Sequence, residues 1–232
     1  MTRRIEELDH VETPIGALSL RRRREPTLHV EVHEVLLGEE YLMSSLFTVA
    51  EEELARLSLA AATGDALDVV VGGLGLGWTA RTALHDPRVA ALQVVEALEA
   101  VVGWHERHLL PGAEELTGDP RCAFLVGDFF ALVREGRLPR AHVVALDVDH
   151  TPRHVLHPSH ADLYVPSGLR RLADRLHPGG VFGLWSDDPP DEGFLAALDE
   201  VFATTAAHVV DFANPLTGGT SSNTVYVATV AP

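Results

Sequence analysis

Leu67-Asp68-Val69-Val70-Val71-Gly72-Gly73-Leu74-Gly75-Leu76-Gly77-Trp78 is the stretch on which the fold turns. Its opening residues are apolar and β-branched, which reads as a buried strand, and a helical pattern begins at residue 78. Glycine at 73, 75 and 77 lets the backbone turn tightly and approach a ligand where a Cβ would collide. The following helix directs its free N–H groups and positive dipole end at the same place. Strand, loop and helix in that order weigh more than a glycine pattern alone.

The same rhythm continues outward from the loop. Buried strands are expected at 67–71, 91–95, 123–126, 142–146 and 181–185, with helices near 78–85, 97–109, 129–135, 167–176 and 192–204. In the helix at 97–109, Leu98, Val101, Val102 and His105 fall on one face. This alternation predicts an α/β fold with a doubly wound, mostly parallel sheet. Two further strands, 208–212 and 224–230, flank the turn-rich Asn214-Pro215-Leu216-Thr217-Gly218-Gly219. Residues 1–62 read as an N-terminal β region with a linking helix, and 63–232 as the main domain. Within the first, strands at 15–20 and 28–37 are separated by Arg21–Arg24, read as a solvated turn. His29, Glu31 and His33 share a face that suits a metal, although a solvent-facing strand explains them better. Thr48 and Glu51 have capping-box spacing ahead of Leu54, Leu57 and Leu59.

Composition narrows the chemistry. The chain has 232 residues with ordinary globular proportions, 46 % hydrophobic and 22 % charged, which argues against disorder and against a membrane span. Its 18 basic residues are all arginine, against 34 acidic ones, for a net charge of −16. The absence of lysine excludes Schiff-base and P-loop lysine chemistry. Strong acidity disfavours nucleic acid and anionic lipid as partners and suits a cationic small substrate. Cys122 is the single cysteine, so no intramolecular disulfide or paired-cysteine motif is available, and a small buried hydrophobe is expected there. The first ten residues carry no apolar signal segment, and a cytoplasmic location is expected.

Two acids follow the glycine loop in order. Glu96 ends the second strand, where a carboxylate can accept both ribose hydroxyls of a nucleoside. Asp128 ends the third, where it can take an adenine amino group while Phe129 or Phe130 covers the ring. Loop, Glu96 and Asp128 together point to an adenosine ligand.

With these residues the chain resembles class I S-adenosylmethionine-dependent transferases, and within them the spermidine synthase family, over nearly its whole length. The resemblance rests on Gly72–Gly77, on Val95-Glu96 with Val101-Val102 and Leu110-Pro111, on Gly127-Asp128, and on Leu163-Tyr164-Val165-Pro166 leading to Leu176-His177-Pro178-Gly179-Gly180. It implies a seven-stranded sheet whose last two strands pair antiparallel, a homodimer, and S-adenosylmethionine or its decarboxylated form as cofactor. The cofactor would be held by Gly73, Gly75, Gly77, Glu96, Asp128 and Asp147, with Asp147 as the catalytic acid. One departure stands out: the family's synthases carry an Asp in the glycine loop, and this chain has Gly75. Another is apolar Leu46-Phe47 where an acidic substrate motif is expected, although Glu51 and Glu52 remain.

The fourth strand runs into Asp147-Val148-Asp149-His150-Thr151-Pro152-Arg153-His154-Val155-Leu156-His157. Three readings stay open here. Asp147 and Asp149 can hold a cationic nucleophile while His150 removes its proton, with Glu52, His154, His157 and Trp185 completing the substrate pocket. Asp147, Asp149, His150 and His154, with Asp187 and Asp188, can instead hold a divalent metal, as in metal-dependent O-methyltransferases. The third reading is a solvated lid loop. The expected activity is transfer of an alkyl group, methyl favoured, to a small amine-bearing acceptor. Aminopropyl transfer, metal-dependent O-methylation and a non-catalytic nucleoside- or metal-binding descendant are the alternatives.

Overall fold

A computed structural model describes residues 5–13, 15–148 and 150–232. Strands β1 (Ile5–Thr13), β2 (Gly16–Arg24), β3 (Glu31–Leu37) and β4 (Glu40–Ser44) form an antiparallel sheet in that order. The arginine run lies inside β2 and is not the turn expected. Strand side chains alternate between faces, so Arg21 and Arg23 share one, and both donate through Nε to Glu34 of β3 at 2.7 Å. Glu34 is only 1 % exposed, so two guanidinium groups compensate one buried carboxylate, while Arg22 pairs with Glu6. The face drawn through His29 also breaks up: His29 has φ 58° and precedes the strand, which starts at Glu31.

Helix α1 (Val49–Ala61) leads into the second sheet. Its strands are β5 (Leu67–Gly72), β6 (Val89–Glu96), β7 (Cys122–Val126), β8 (Ala141–Leu146), β9 (Leu176–Ser186), β10 (Thr204–Asn214) and β11 (Gly219–Thr229). They lie in the order β10-β11-β9-β8-β5-β6-β7, and β5 to β9 run parallel. β11 pairs antiparallel with both β9 and β10, as expected for the end of the chain. Between the strands lie α2 (Trp78–Leu84), α3 (Glu99–Glu106), α4 (Ala113–Gly118), α5 (Phe129–Arg134), α6 (Pro166–Ala173) and α7 (Glu192–Asp199). The helix expected over 97–109 is shorter, and α4 follows it as a separate element. His108 at φ 55° and Gly112 at φ 76° break the path between them. α7 stops at Asp199 because β10 begins at Thr204, where a longer helix was expected.

Period-two alternation divides the core between the two faces of the sheet. Val69 and Val71 of β5 face one cluster with Leu54 and Trp104, and Val70 faces the other with Phe129, Leu146 and Phe182. The first cluster is continuous with Leu18, Leu20 and Val35 of the N-terminal sheet. Trp104 of α3 also donates through Nε1 to Asp9 of β1 at 2.7 Å. Among the described residues no helix is long and apolar enough to cross a membrane.

This topology brings four segments to one edge. The chain leaves β5, β8 and β9 there, and antiparallel β11 enters there, with Thr224 opposite Ser186. Open α/β sheets bind ligands at that edge.

Candidate active site

A cavity of about 590 Å³ opens at this edge. Its floor is the loop Leu74–Gly77 with Trp78, and Glu51 of α1 and Asp147 after β8 both line it, bridged by the Thr79 hydroxyl, which donates to the Glu51 carbonyl at 3.2 Å and to Asp147 Oδ2 at 2.8 Å. Leu42–Ser44 of β4 and Phe47 close one side. Trp185 of β9, Asp187 just after it and the outer half of the β10–β11 hairpin, including Asn214 and Asn223, close the other.

The loop glycines are demanded first by the protein's own packing. A Cβ on Gly73, at φ 92°, would fall on the Asp147 carbonyl oxygen. One on Gly77, at φ 90°, would come within 2.9 Å of His105 and Leu116. Gly75, at φ 49°, instead looks into open space, with only the Met43 sulfur 3.4 Å from a Cβ. His105, fully buried, donates from Nε2 to the Gly75 carbonyl at 3.0 Å. Burial pushes its pKa down and keeps it neutral, a prop for the loop.

Beneath the loop, Glu96 is 8 % exposed and takes the amides of Leu74 and Leu98 at 2.9 and 2.8 Å. Burial raises its pKa while these amides pull it back. The carboxylate therefore ties the loop to β6, and its remaining lone pairs are what a ribose could use. Asp128 is exposed and caps α5 through the Ala131 amide at 3.1 Å. Phe129 and Phe130 are buried in the core, so the expected aromatic cover over an adenine does not come from them.

Asp147 and Glu51 are the electrostatic centre. Asp147 accepts a hydrogen bond from the Thr79 hydroxyl at 2.8 Å, yet burial outweighs that bond and raises its pKa to about 6. Burial, with the charge of Asp147, raises Glu51 to about 8. Two carboxyls in one poorly solvated pocket titrate as a pair, which carries about one negative charge near neutrality. A bound ammonium group would relieve both.

Glu51 was expected as a capping residue, but Thr48 makes no side-chain cap and its hydroxyl instead donates to Glu52 at 3.1 Å. Glu52, expected in the substrate pocket, is held by that hydroxyl and by Arg56 at 2.8 Å. A signal for Glu51 was present: it shares a helical face with Leu54, Ala55 and Ser58, all buried. Thr79 and the outer half of the hairpin had no such signal.

Of the other expected residues, His150 and Trp185 line the cavity. His154 lies outside it, beside Asp188 at 3.5 Å, and His157 caps the 3-10 turn Pro158–His160. Asp187 accepts from Asn223 Nδ2 at 2.7 Å. Asp149 falls outside the described residues. The described members of the expected metal set do not gather with metal-like spacing. Among the described residues, the histidine and carboxylate group with metal-like spacing is Asp68, His142 and His177, at the opposite edge of the sheet. Cys122 is half-buried and its thiol is pushed up to about 12 by burial, as a small hydrophobe should be.

No protein-family model matches the sequence, and no curated protein matches it. Solved structures do. A spermidine synthase from Thermotoga maritima superposes with a TM-score of 0.74 at 18 % identity, covering 96 % of this chain and 72 % of that one. A spermidine synthase in complex with the transition-state analogue AdoDATO gives 0.73 at 18 % identity, covering 96 % and 73 %. Human methyltransferase-like protein 13 in complex with SAH gives 0.58 at 19 % identity, covering 79 % and 83 %. The chain therefore has the spermidine synthase-like fold of class I S-adenosylmethionine-dependent transferases.

Proposed function

We propose that the protein is an S-adenosylmethionine-dependent transferase that alkylates a small amine-bearing acceptor. The observation that carries this reading is the Glu51–Asp147 pair, set against a glycine loop in a cavity walled by Phe47, Trp78, Trp185 and Phe212. Aromatic faces and carboxylates are the two surfaces that hold an ammonium group. The open pocket side of Gly75 and the spare acceptor capacity of Glu96 fit an adenosyl sulfonium cofactor. Gly73, Gly75 and Gly77 would border it, Glu96 would take the ribose hydroxyls, and the exposed Asp128 would take the adenine amino group. When bound, it supplies a carbon already activated by positive sulfur.

The chain's own residues then do two things. Glu51 and Asp147 anchor the cationic acceptor, which fixes its nitrogen against the loop. Asp147, fixed at the end of β8 by the Thr79 hydroxyl, takes the N–H proton that the nitrogen must lose to become a nucleophile, drawing on the single negative charge that it shares with Glu51. His150, exposed at the cavity wall, offers a route for that proton to water.

We favour methyl as the transferred group, because Gly75 leaves the loop without an acid for the free propylamine of the decarboxylated cofactor. Glu51 supports the alternative of aminopropyl transfer, since it supplies an acid to the same cavity from α1. Equilibrium binding of both cofactor forms separates the two. Tighter binding of S-adenosylmethionine is expected, and a tenfold preference for the decarboxylated form, about 1.4 kcal/mol, would establish the aminopropyl reading instead. Absence of any S-adenosylhomocysteine binding would remove both.

A further inference from the structure

At the opposite edge of the sheet, Asp68, His142 and His177 stand at the starts of three adjacent strands, β5, β8 and β9. Their donor atoms all lie within 4.8 Å of one another, and Asp68 Oδ2 is 3.7 Å from His142 Nδ1. The two imidazoles sit with ring centroids 4.4 Å apart. We propose that these three residues form a transition-metal site that takes Zn²⁺.

The pairing of the strands shows how the cluster is built. Val69 pairs with Val143, so Asp68 and His142 come side by side on the same face. β9 then runs out of step with β8: Ala141 pairs with Leu176, but Val143 pairs with Val181. Four residues, His177-Pro178-Gly179-Gly180, thus stand opposite the single His142, three more than a regular ladder needs, and the irregularity swings His177 over His142. Gly179 takes φ 72°, and a Cβ on Gly180 would come within 2.7 Å of the His177 carbonyl and 3.2 Å of the His142 carbonyl. Gly179 therefore supplies the left-handed turn and Gly180 seats the bulge tightly against β8, so the position of His177 is not left to a free loop.

The donor set suits zinc. Two imidazoles and a carboxylate are borderline ligands, whereas Mg²⁺ and Ca²⁺ favour oxygen alone. Ligands around tetrahedral zinc sit about 3.3–3.5 Å apart, so the present spacing needs only side-chain rotation to close. No hydrogen bond among the described residues engages the His177 ring, which leaves it free to ligate. His142 is held by the Asp68 amide, which donates to Nδ1 at 3.0 Å, so a metal that takes Nδ1 displaces one hydrogen bond. Asp68 is exposed and both histidines are half-buried, so the cluster is open to solvent, and the metal would clamp three central strands at the edge opposite the cavity.

Titration of the apo protein with Zn²⁺ by calorimetry, and with Co²⁺ by visible absorption, tests this. One equivalent should bind, with the d–d bands of four-coordinate Co²⁺, and saturating Zn²⁺ should raise the melting temperature. His142→Ala and His177→Gln should each weaken binding at least tenfold and abolish the bands, while S-adenosylhomocysteine affinity stays unchanged. The double variant Asp187→Asn/Asp188→Asn should bind Zn²⁺ like the wild type. Unaltered Zn²⁺ binding in the two histidine variants, or its loss in the double aspartate variant, would overturn the assignment.

Discussion

The two edges of the parallel sheet treat their charged groups in opposite ways. At the amino edge, Asp86-Pro87-Arg88 and Asp119-Pro120-Arg121 repeat one device ahead of β6 and β7. Each arginine pairs with its own aspartate at 2.7 Å and also donates to two backbone carbonyls. Arg88 reaches Leu59 and Ala62 at the end of α1, and Arg121 reaches Leu84 and Val89. The arginines hold both aspartates below the usual carboxylate range. At the carboxyl edge no arginine among the described residues lines the cavity with Asp147 and Glu51, and both are pushed up. One edge satisfies helix ends and turns. The other keeps Asp147 and Glu51 under-compensated, which costs stability and which, on the proposed function, a cationic ligand would relieve.

The largest expected effect that would sharpen this contrast is Asp147→Asn. Turnover should fall about 10²–10⁴-fold, with S-adenosylhomocysteine affinity within a few fold of wild type by calorimetry. Retained turnover in a labelled-transfer assay would remove Asp147 from the chemistry. Next comes a pair of loop variants within the functional edge. Gly73→Ala forces a Cβ into the Asp147 backbone at positive φ, and should cost about 2–4 kcal/mol in denaturant unfolding. Gly75→Ala meets no backbone and carries only the left-handed backbone strain, about 1–2 kcal/mol. Equal costs would show that the loop is not divided between packing and ligand as described.

At the stabilising edge, Arg88→Ala removes donors from the Leu59 and Ala62 carbonyls and should cost about 1–2 kcal/mol. Cofactor affinity should not change. A loss of cofactor binding here would mean that the two edges are not separable.

The smallest effect is a slope. Glu51 has a higher pKa folded than unfolded, so the native state binds the extra proton as pH rises from about 4.5 toward 8. Its contribution therefore lowers stability progressively across that window and levels off above it. Glu51→Gln should flatten the fall in melting temperature between pH 5 and 8, with a gain of about 2–4 °C at pH 8. A steeper fall in the variant would contradict the burial of an under-compensated carboxyl at this position.

Much of the architecture was legible in local patterns. The apolar run at 67–71, the loop glycines and the acids at 96 and 128 each announce themselves within a few residues, because strand burial and tight turns select residue types locally. The arginines of β2 were misread for the opposite reason: their partner, Glu34, lies across a strand pair. A charged run looks solvated until the chain that compensates it is in place.

By itself, then, the sequence determined the alternating order of strands and helices, the place of the glycine loop and the chain's acidity. These follow from periodicity and composition, which act over one or two turns of chain. Only the tertiary structure decided that Glu51 rather than Glu52 enters the cavity, since that depends on which face of α1 packs on the sheet. It also decided that Asp128 ends as an exposed helix cap, and that the outer half of the hairpin closes the pocket from more than 60 residues beyond Asp147. The gathering of Asp68, His142 and His177 belongs to the same class. The physical reason is common to all of these. Side chains distant in sequence meet only once the strands have been set in order and register, and no local preference encodes those distances.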